Sequence, residues 1–396
     1  PSGQSVVYAY NGNGQVTGIT VNGNALLSGA LYEPFGPVRQ WTWGNGALAV
    51  RTYDLDGRIS QVDSAGLKSY GFDDASRITS ITDTVTPGNS WAYGYDSLDR
   101  LTSAVRTGLT RGWTYDANGN RTAAPNLVGT GLSAEYDDQD RLTRYGATDH
   151  TFDYTNAGDL SAKHEGTATT TTYSYDAFGN LRSVHLPDGR QIDYVIDGQN
   201  RRVGKKRTPP GGPTTLERQW LYDGQLRIVG EIDGLGDLTR FIYGSGFNVP
   251  EYMIKAGVAY RVITDQIGSV RLVASSQPGL PDSIAQRIDY DEFGAASESG
   301  TVSFQPFAFG GGLYDRDSGF VRFGYRDYSP EIGRWTAIDP SRFNGGDLNL
   351  FQYSLADPVN SLDPTGLAKG GKKNICVEGF TKRSAAEEVE KALAGC

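Results

Sequence analysis

The chain has 396 residues, with 37 basic and 46 acidic side chains, a net charge of −9 and no basic stripe, so nucleic-acid binding by its main body is not expected. No apolar run approaches the roughly 18–20 residues that cross a membrane, so the sequence predicts no transmembrane segment. Its 52 glycines and 23 tyrosines favour short strands and tight turns over helices.

One motif recurs along the first 290 residues: an aromatic residue, usually Tyr, then Asp, a few polar turn residues, and a strand that resumes with Arg-Leu or Arg-Ile. Its spacing of about 20 residues is typical of repeat architectures. Clear copies begin at Tyr53, Phe72, Tyr95, Tyr115 and Tyr136, and looser copies begin at Tyr154, Tyr175, Tyr194, Tyr222 and Tyr290.

Each repeat has the sequence of a β-hairpin. Asn-Gly and Asp-Gly pairs form tight reversals, and the Asp after the aromatic residue can cap the turn with its side chain. The flanking segments, such as 100–105, alternate apolar and polar residues with the period of a half-buried strand. A single hairpin cannot bury its apolar face, so we expect the hairpins to join edge to edge into a long, twisted sheet that wraps around an interior. The predicted fold class is all-β.

The end of the repeat region carries two Asp-Pro steps, Asp339-Pro340 and Asp363-Pro364, which stand 24 residues apart. Asp-Pro-Thr-Gly at 363–366 is a good β-turn sequence, and such a turn brings the Asp363 carboxylate near the peptide bond that follows Leu367. Just after Leu367 the composition changes from Tyr/Gly/Asp-rich to Lys/Ala/Glu-rich. Paired aspartates beside such a junction suggest a protein that cuts its own chain there.

Hydrolysis by two carboxyls needs one ionised group to activate water and one protonated group to assist the carbonyl or the leaving nitrogen. Two carboxyls held together meet this need, because close like charges raise one of the two pKa values. Asp363 is the first member of the predicted pair and Asp339 its preferred partner, with Asp357 as a rival and Asp347 as a weaker one.

Arg334 is a further candidate, for orienting an aspartate or stabilising a developing oxyanion. A plain strand, however, places positions 334 and 339 on opposite faces, so this role needs a bulge or a bend. A structural ion pair is the alternative interpretation of Arg334.

The repeats resemble the YD repeats of Rhs proteins, which are also found in bacterial Tc-toxin C subunits and in teneurins. The segments 319–328, 333–335 and 363–367, the last reading Asp-Pro-Thr-Gly-Leu, are similar to the Rhs-associated core. The resemblance implies a hollow β-shell made of spiralling repeats, with one end closed by the core segment and a variable C-terminal toxin inside. The chain departs from many relatives at 341–343, where Ser-Arg-Phe replaces Ile-Gly-Leu, and at Asp357, where Asn is frequent.

The family's self-cleavage, carried onto this chain, implies Asp339 and Asp363 as the catalytic pair and Leu367–Ala368 as the scissile bond. The implied domains are a repeat shell (1–290), an Rhs-associated core with the autoproteolytic site (291–367), and the start of a C-terminal toxin or cargo (368–396), truncated or short.

The same resemblance implies a secreted bacterial effector, delivered to a target cell by type VI secretion or a Tc-like complex. The implied partners are the chain's own released segment, held inside the shell, together with a secretion spike or chaperone and an immunity protein. One alternative is a non-enzymatic adhesion or glycan-binding surface protein in which the core segment is a structural plug. Another is a pore-forming or delivery subunit in which the tail is the active part.

The tail carries a capping box at 384–387, which predicts a short helix through about Leu393. Twenty-nine residues hold too little core for an independent toxin domain. The chain's two cysteines, Cys376 and Cys396, both lie in this tail, and we expect them to be free thiols. The histidines at 150, 164 and 185 have no ligand spacing, so no metal site and no cofactor are expected.

Overall fold

The computed structural model confirms the all-β fold class and the edge-to-edge joining of hairpins. It describes residues 5–34, 36–63, 66–124, 132–146, 150–166, 169–244, 246–276, 283–345, 347–367 and 371–372. An 11-stranded and an 18-stranded antiparallel sheet form most of the chain, and in both of them the strands stand in sequence order. The tail helix predicted after residue 384 and both cysteines lie outside the described residues.

The first sheet comprises β1 (Val6–Tyr10), β2 (Val16–Val21), β3 (Asn24–Tyr32), β4 (Val38–Trp43), β5 (Leu48–Tyr53), β6 (Ile59–Asp63), β7 (Leu67–Phe72), β8 (Ile78–Asp83), β9 (Trp91–Tyr95), β10 (Leu101–Arg106) and β11 (Leu109–Gly112).

The second sheet comprises β12 (Thr114–Tyr115), β13 (Arg121–Ala124), β14 (Leu132–Tyr136), β15 (Leu142–Tyr145), β16 (His150–Tyr154), β17 (Leu160–Glu165), β18 (Thr169–Tyr175), β19 (Leu181–His185), β20 (Gln191–Ile196), β21 (Arg202–Thr208), β22 (Thr215–Asp223), β23 (Arg227–Asp233), β24 (Leu238–Ile242), β25 (Tyr252–Lys255), β26 (Val258–Thr264), β27 (Val270–Ser275), β28 (Ile284–Tyr290) and β29 (Ala296–Gly300).

A four-stranded sheet follows, with β30 (Leu313–Asp315), β31 (Phe320–Phe323), β32 (Arg326–Ser329) and β33 (Arg334–Trp335), and β34 (Ser361–Leu362) then pairs with β35 (Gly371–Lys372). Short 3₁₀ turns lie at Pro87–Asn89, Phe309–Gly311, Arg342–Gly345 and Ser354–Ala356. In the part of the chain that the structure describes, none of the helices has the length and apolarity needed to cross a membrane.

The repeat at Tyr95 shows how the motif works. The Asp96 carboxylate accepts hydrogen bonds from the Arg100 backbone N–H (3.0 Å) and the Arg100 Nε (2.7 Å), which holds the turn as predicted. The Tyr95 hydroxyl donates to the carbonyl of Ile78 in the preceding repeat (2.7 Å), and the Arg100 guanidinium lies 4.8 Å from the Tyr115 ring centre in the next. Each repeat is therefore tied to both of its neighbours. The same Asp–Arg pair recurs at Asp54–Arg58, Asp73–Arg77, Asp137–Arg141 and Asp197–Arg201.

The prediction of plain alternation in the strands after these turns is wrong, because a β-bulge interrupts it. In β9–β10, Tyr95 pairs with Leu101 but Gly94 pairs with Ser103, which leaves one extra residue on β10. The bulge shifts the side-chain period by one, so Leu101 and Ala104, three positions apart, are both fully buried. Equivalent register shifts occur at Thr52/Tyr53, Gly71/Phe72, Glu135/Tyr136, Asp153/Tyr154, Ser174/Tyr175 and Leu221/Tyr222.

The two sheets wind so that strands far apart in sequence pack together. The Trp43 ring at the end of β4 lies 5.2 Å from the Tyr252 ring on β25, and Arg111 pairs with Glu292 at 2.7 Å. These contacts span 209 and 181 residues. A right-handed strand twist accumulated over many strands produces this winding.

The segment after β29 packs against the apolar face of the repeat strands. Phe320, Ile332 and Val359 belong to the same buried cluster as Leu101 and Leu181 of the two long sheets. The sheets therefore provide a fixed surface on which the last described segment, with both Asp-Pro steps, is held.

The repeat aspartates predict a loss of shell stability in acid. Partial burial alone would raise the pKa of Asp96, but hydrogen bonds from Arg100 and from backbone N–H groups outweigh it and lower the pKa below its ordinary value of 3.8. Such a carboxyl contributes stability that is present above its unfolded-state pKa and is lost as the pH falls through the folded-state value. We expect the melting temperature to fall between about pH 5 and about pH 3. The pKa is lowered in the same way at Asp54, Asp73, Asp137, Asp176 and Asp197.

Asp96→Asn is the matched control for this pH dependence, because the amide keeps an acceptor oxygen in the turn but does not titrate. Its melting temperature should vary less steeply with pH than that of the wild type, and equal slopes would contradict the assignment. Burial raises the pKa of Glu231, Asp265 and Glu292. The stability that these three groups contribute depends on pH in the opposite direction, because it is lost as the pH rises.

Candidate functional site

Three separate parts of the chain meet at the predicted cleavage junction: the start of β32, the segment after β33, and the turn that follows β34. Asp339 and Asp363, the two predicted aspartates, are both buried, at 6% and 0% exposed. Leu367 and Ser341 beside them are only partly buried. The site is thus a buried acidic pair with a solvent-reachable edge at the junction.

The turn at 363–366 forms as predicted, with the Asp363 side chain as its organiser. Asp363 Oδ1 accepts hydrogen bonds from the Gly366 N–H (2.8 Å), the Thr365 hydroxyl (2.9 Å) and the Leu367 N–H (3.3 Å). Gly366 has a φ of +71°, and a Cβ there would lie 2.5 Å from the Phe323 carbonyl oxygen, so only glycine fits. The turn therefore holds the Asp363 carboxylate beside the Leu367 N–H, in the peptide unit just before the Leu367 carbonyl.

Arg326 joins the two aspartates. Its Nη2 lies 2.7 Å from Asp339 Oδ2 and 3.3 Å from Asp363 Oδ2, and its Nε donates to the Gly366 carbonyl. The guanidinium also stacks 4.1 Å from the Trp335 ring centre, which fixes its plane. Burial lowers the pKa of Arg326, and the two aspartates oppose that shift. One cation thus brings both carboxylates to a single nitrogen.

Asp339 is further tied to Ser341. Asp339 Oδ1 accepts hydrogen bonds from the Ser341 N–H (2.8 Å) and the Ser341 hydroxyl (2.5 Å). The same hydroxyl lies 3.4 Å from the carbonyl oxygen of Leu367. The Asp339 carboxylate is therefore linked to the predicted scissile peptide bond through the Ser341 hydroxyl. Ala368, on the other side of that bond, lies outside the described residues.

Arg334 contacts the repeat shell. Its Nη1 donates to Asn120 Oδ1 (2.8 Å), and its Nη2 donates to the Asp140 carbonyl (2.5 Å) and to Asn349 Oδ1 (3.4 Å). The side chain of position 334 in β33 faces the repeats, whereas Asp339 lies beyond the end of that strand. The contacts favour a structural role, that of anchoring the core segment to the turns at 116–120 and 137–141.

The rival Asp357 is also engaged elsewhere. Its carboxylate accepts hydrogen bonds from the side-chain amide of Asn360 at 2.8 and 3.0 Å. Asn360 in turn accepts from the Ile78 N–H (2.7 Å) and donates to the Tyr95 hydroxyl (2.9 Å). The contacts of Asn360 place Asp357 at the interface with the first sheet.

The weaker rival, Asp347, accepts a hydrogen bond from the Asn349 N–H (3.0 Å).

Sequence reasoning missed Arg326 and Ser341. Arg326 stands 13 residues before Asp339, a spacing that no local structure explains. The pairing of β32 with β33, the strand that precedes Asp339, carries it toward the site. Ser341 was noted only as a departure from the family wording. The signal that was available is the Asp-Pro-Ser sequence, in which a hydroxyl two residues after an Asp can hydrogen-bond to it.

No group of three or more His, Cys, Asp or Glu side chains is placed to hold a metal ion within the described ranges. His164 lies on a sheet surface, where Asp153 Oδ2 is 2.9 Å from its Nε2 and Thr170 Oγ1 is 3.1 Å from its Nδ1. This is an exposed cross-strand arrangement.

Comparison with known proteins identifies the family. A profile described as Teneurin YD-shell matches residues 67–359. Toxin protein Tse5 of Pseudomonas aeruginosa is 25% identical over 364 residues, a match that covers 76% of this chain and 27% of Tse5. Teneurin-3 of Danio rerio is 26% identical over 342 residues, which covers 80% of this chain and 12% of that protein. The chain thus spans about a quarter or less of these relatives.

Among solved structures, that of TcdB2-TccC3 without its hypervariable C-terminal region matches with a TM-score of 0.63 at 17% identity. The match covers 92% of this chain and 20% of that one. At this identity the likeness concerns the fold, which is that of a shell of YD repeats. The chain belongs to the YD-shell family. It is an Rhs/YD-repeat protein similar to Tc-toxin C subunits.

Proposed function

We propose that this chain is the shell portion of a polymorphic toxin carrier that cuts itself once, after Leu367, by an aspartyl mechanism and retains the released C-terminal segment. The observation that carries the proposal is the meeting of Asp339 and Asp363 at one nitrogen of Arg326, beside the Leu367 carbonyl.

The two carboxyls supply the groups that this chemistry requires. Acid–base hydrolysis needs one carboxyl to activate water and one to donate a proton, and the proposal assigns these roles to the two buried aspartates that Arg326 joins.

We assign the base role to Asp363 and the acid role to Asp339 from their places in the site. Asp363 Oδ1 accepts from three donors in the turn that ends at Leu367. Asp339 is linked through Ser341 to the carbonyl oxygen of Leu367, where a proton is needed. Arg326 holds the two groups and neutralises part of their charge.

Repeats wound into a shell supply the enclosure for the released segment. Tse5 is named a toxin, and the TcdB2-TccC3 structure is described as being without a hypervariable C-terminal region. By this likeness we propose that residues 368–396 begin such a segment, that the protein is secreted and delivered to a target cell, and that an immunity protein and a secretion partner accompany it.

The intact mass of the purified wild-type chain under denaturing conditions tests the proposal. We expect two species, a body that ends at Leu367 and a peptide that begins at Ala368, which co-elute under native conditions. A single uncut chain would reject self-cleavage and favour the adhesion or glycan-binding alternative, in which the core segment only plugs the shell.

A further inference from the structure

The Ser341 hydroxyl lies between the Asp339 carboxyl, which is the proposed acid, and the Leu367 carbonyl of the proposed scissile peptide bond. Its hydroxyl oxygen is 2.5 Å from Asp339 Oδ1 and 3.4 Å from the carbonyl oxygen of Leu367. A hydroxyl has one donor and two acceptor sites, so it can accept a proton from one neighbour while it donates its own to another. When Asp339 is ionised, the hydroxyl donates to Asp339 Oδ1; when Asp339 is protonated, the same contact lets Asp339 donate to the hydroxyl, which is then free to donate to the Leu367 carbonyl oxygen.

The backbone fixes this hydroxyl in place. The Ser341 N–H donates to Asp339 Oδ1 (2.8 Å), and the Arg342 N–H donates to the Asp339 carbonyl (2.9 Å), which closes a tight turn. Arg342 adopts a φ of +52°, a conformation that a non-glycine residue holds only where its surroundings impose it. The turn thus fixes the position of the Ser341 backbone relative to Asp339.

We propose that Ser341 is a catalytic residue of the self-cleavage proposed above, on which this inference rests, and that it carries a proton from Asp339 to the Leu367 carbonyl oxygen. Water attacks the Leu367 carbonyl carbon, and Asp363 takes one water proton. Ser341 gives its proton to the carbonyl oxygen and takes the proton of Asp339. Removing this donor removes the hydrogen bond to the oxygen on which negative charge develops.

The second half of the reaction restores both carboxyls. The carbon–nitrogen bond to Ala368 breaks as Asp363 returns its proton to the leaving nitrogen. One hydroxyl of the tetrahedral intermediate gives its proton through Ser341 back to Asp339. The products are a carboxylic acid at Leu367 and a free amine at Ala368, so one water is consumed and no other reactant is needed.

The proposal gives Ser341 the role of a proton donor and not that of a nucleophile. Its hydroxyl lies 3.4 Å from the carbonyl oxygen of Leu367, the atom that receives the proton, whereas a nucleophilic serine would form an ester with the carbon. The partial exposure of Leu367 and Ser341 leaves room for the attacking water. Ser341 is therefore assigned as an acid relay.

The test compares cleavage rates of newly synthesised chains in a cell-free translation reaction, followed by denaturing gels and intact mass. We expect Ser341→Ala to slow cleavage about 100-fold, the usual effect of deleting one oxyanion donor. Ser341→Thr, which keeps the hydroxyl, should restore most of the rate. Ser354→Ala, at another buried serine of the same segment, should cut at the wild-type rate.

A solvent deuterium isotope effect separates the relay from a packing role. It should be larger for the wild type than for Ser341→Ala, because the relay moves additional protons in the same step. Equal rates for the wild type and Ser341→Ala would refute the relay while leaving self-cleavage intact. A Leu367 hydroxamate trapped by hydroxylamine would show an ester intermediate and also refute it. A wild type that stays uncut refutes the proposed function and this inference together.

Discussion

Asp363→Asn leaves the chain as one uncut polypeptide of full mass. The amide cannot accept the proton of the attacking water, so the base is lost, while the side-chain oxygen still accepts from the turn donors of 365–367. We expect the uncut fraction to rise from nearly none to nearly all of the chain. Asp339→Asn should give the same result, since it removes the acid at the other end of the site. Intact mass under denaturing conditions is the measurement.

Asp357→Asn is the matched control for this experiment. Asp357 is buried like Asp363, is also followed by Pro, and lies in the same segment, and its carboxylate accepts hydrogen bonds from the Asn360 side chain. We expect this variant to be cut fully after Leu367. If Asp357→Asn remains whole while Asp339→Asn is cut, the partner of Asp363 is Asp357. If Asp363→Asn itself is cut, the aspartyl mechanism is wrong.

Asp327→Asn lowers the free energy of unfolding by about 3–5 kcal/mol, the usual effect of breaking a buried ion pair. Asp327 accepts from Arg202 Nη2 (2.9 Å) and from Arg322 Nη1 (3.0 Å), and all three side chains are nearly inaccessible to solvent. Removing the single negative charge leaves two buried guanidinium groups with too little compensation. The midpoint of denaturant unfolding, measured in the Asp363→Asn background so that every chain is whole, reports the change.

Asp289→Asn provides the comparison for Asp327→Asn. Asp289 also pairs with an arginine, Arg271, at 3.0 Å, but its side chain is 58% exposed. Exposed pairs contribute between zero and about 1 kcal/mol, so the unfolding midpoint should hardly move. Similar shifts for the two variants would mean that Asp327 does not anchor the core segment to the repeats.

The Asp327 cluster also bears on the candidate site, because Asp327 is the neighbour of Arg326 in β32. Arg202 of β21 and Arg322 of β31 hold Asp327 from two sides, and so fix the strand from which Arg326 reaches the aspartates. We therefore expect cleavage of the otherwise wild-type Asp327→Asn chain to slow as well, without any change in the site of cleavage.

The repeats and the turn at 363–366 were within reach of the sequence, because each depends on residues four or five apart. Asp96 and Arg100, for example, define one turn through contacts that lie entirely within it. The bulge after each turn was not predicted, since it appears only when two strands are paired and Tyr95 meets Leu101 across them. The division of the chain at residues 290 and 367 stays a prediction.

The assembly of the site was decided by the tertiary structure. The sequence marked Asp339 and Asp363 as a pair, from their Pro neighbours and the junction after Leu367, but gave no means of choosing the third group. Arg334 faces Asn120, 214 residues away, and Arg326 takes the place beside the aspartates.

The sequence by itself thus determined the local elements and the two carboxylates, because hairpins, caps and turns are fixed by short-range sterics and hydrogen bonds. Which cation joins those carboxylates was decided by the tertiary structure, because the pairing of β32 with β33 carries Arg326 toward Asp339 while Arg334 faces the repeats. Such contacts join residues that stand 13 to more than 200 positions apart, and no local pattern encodes them.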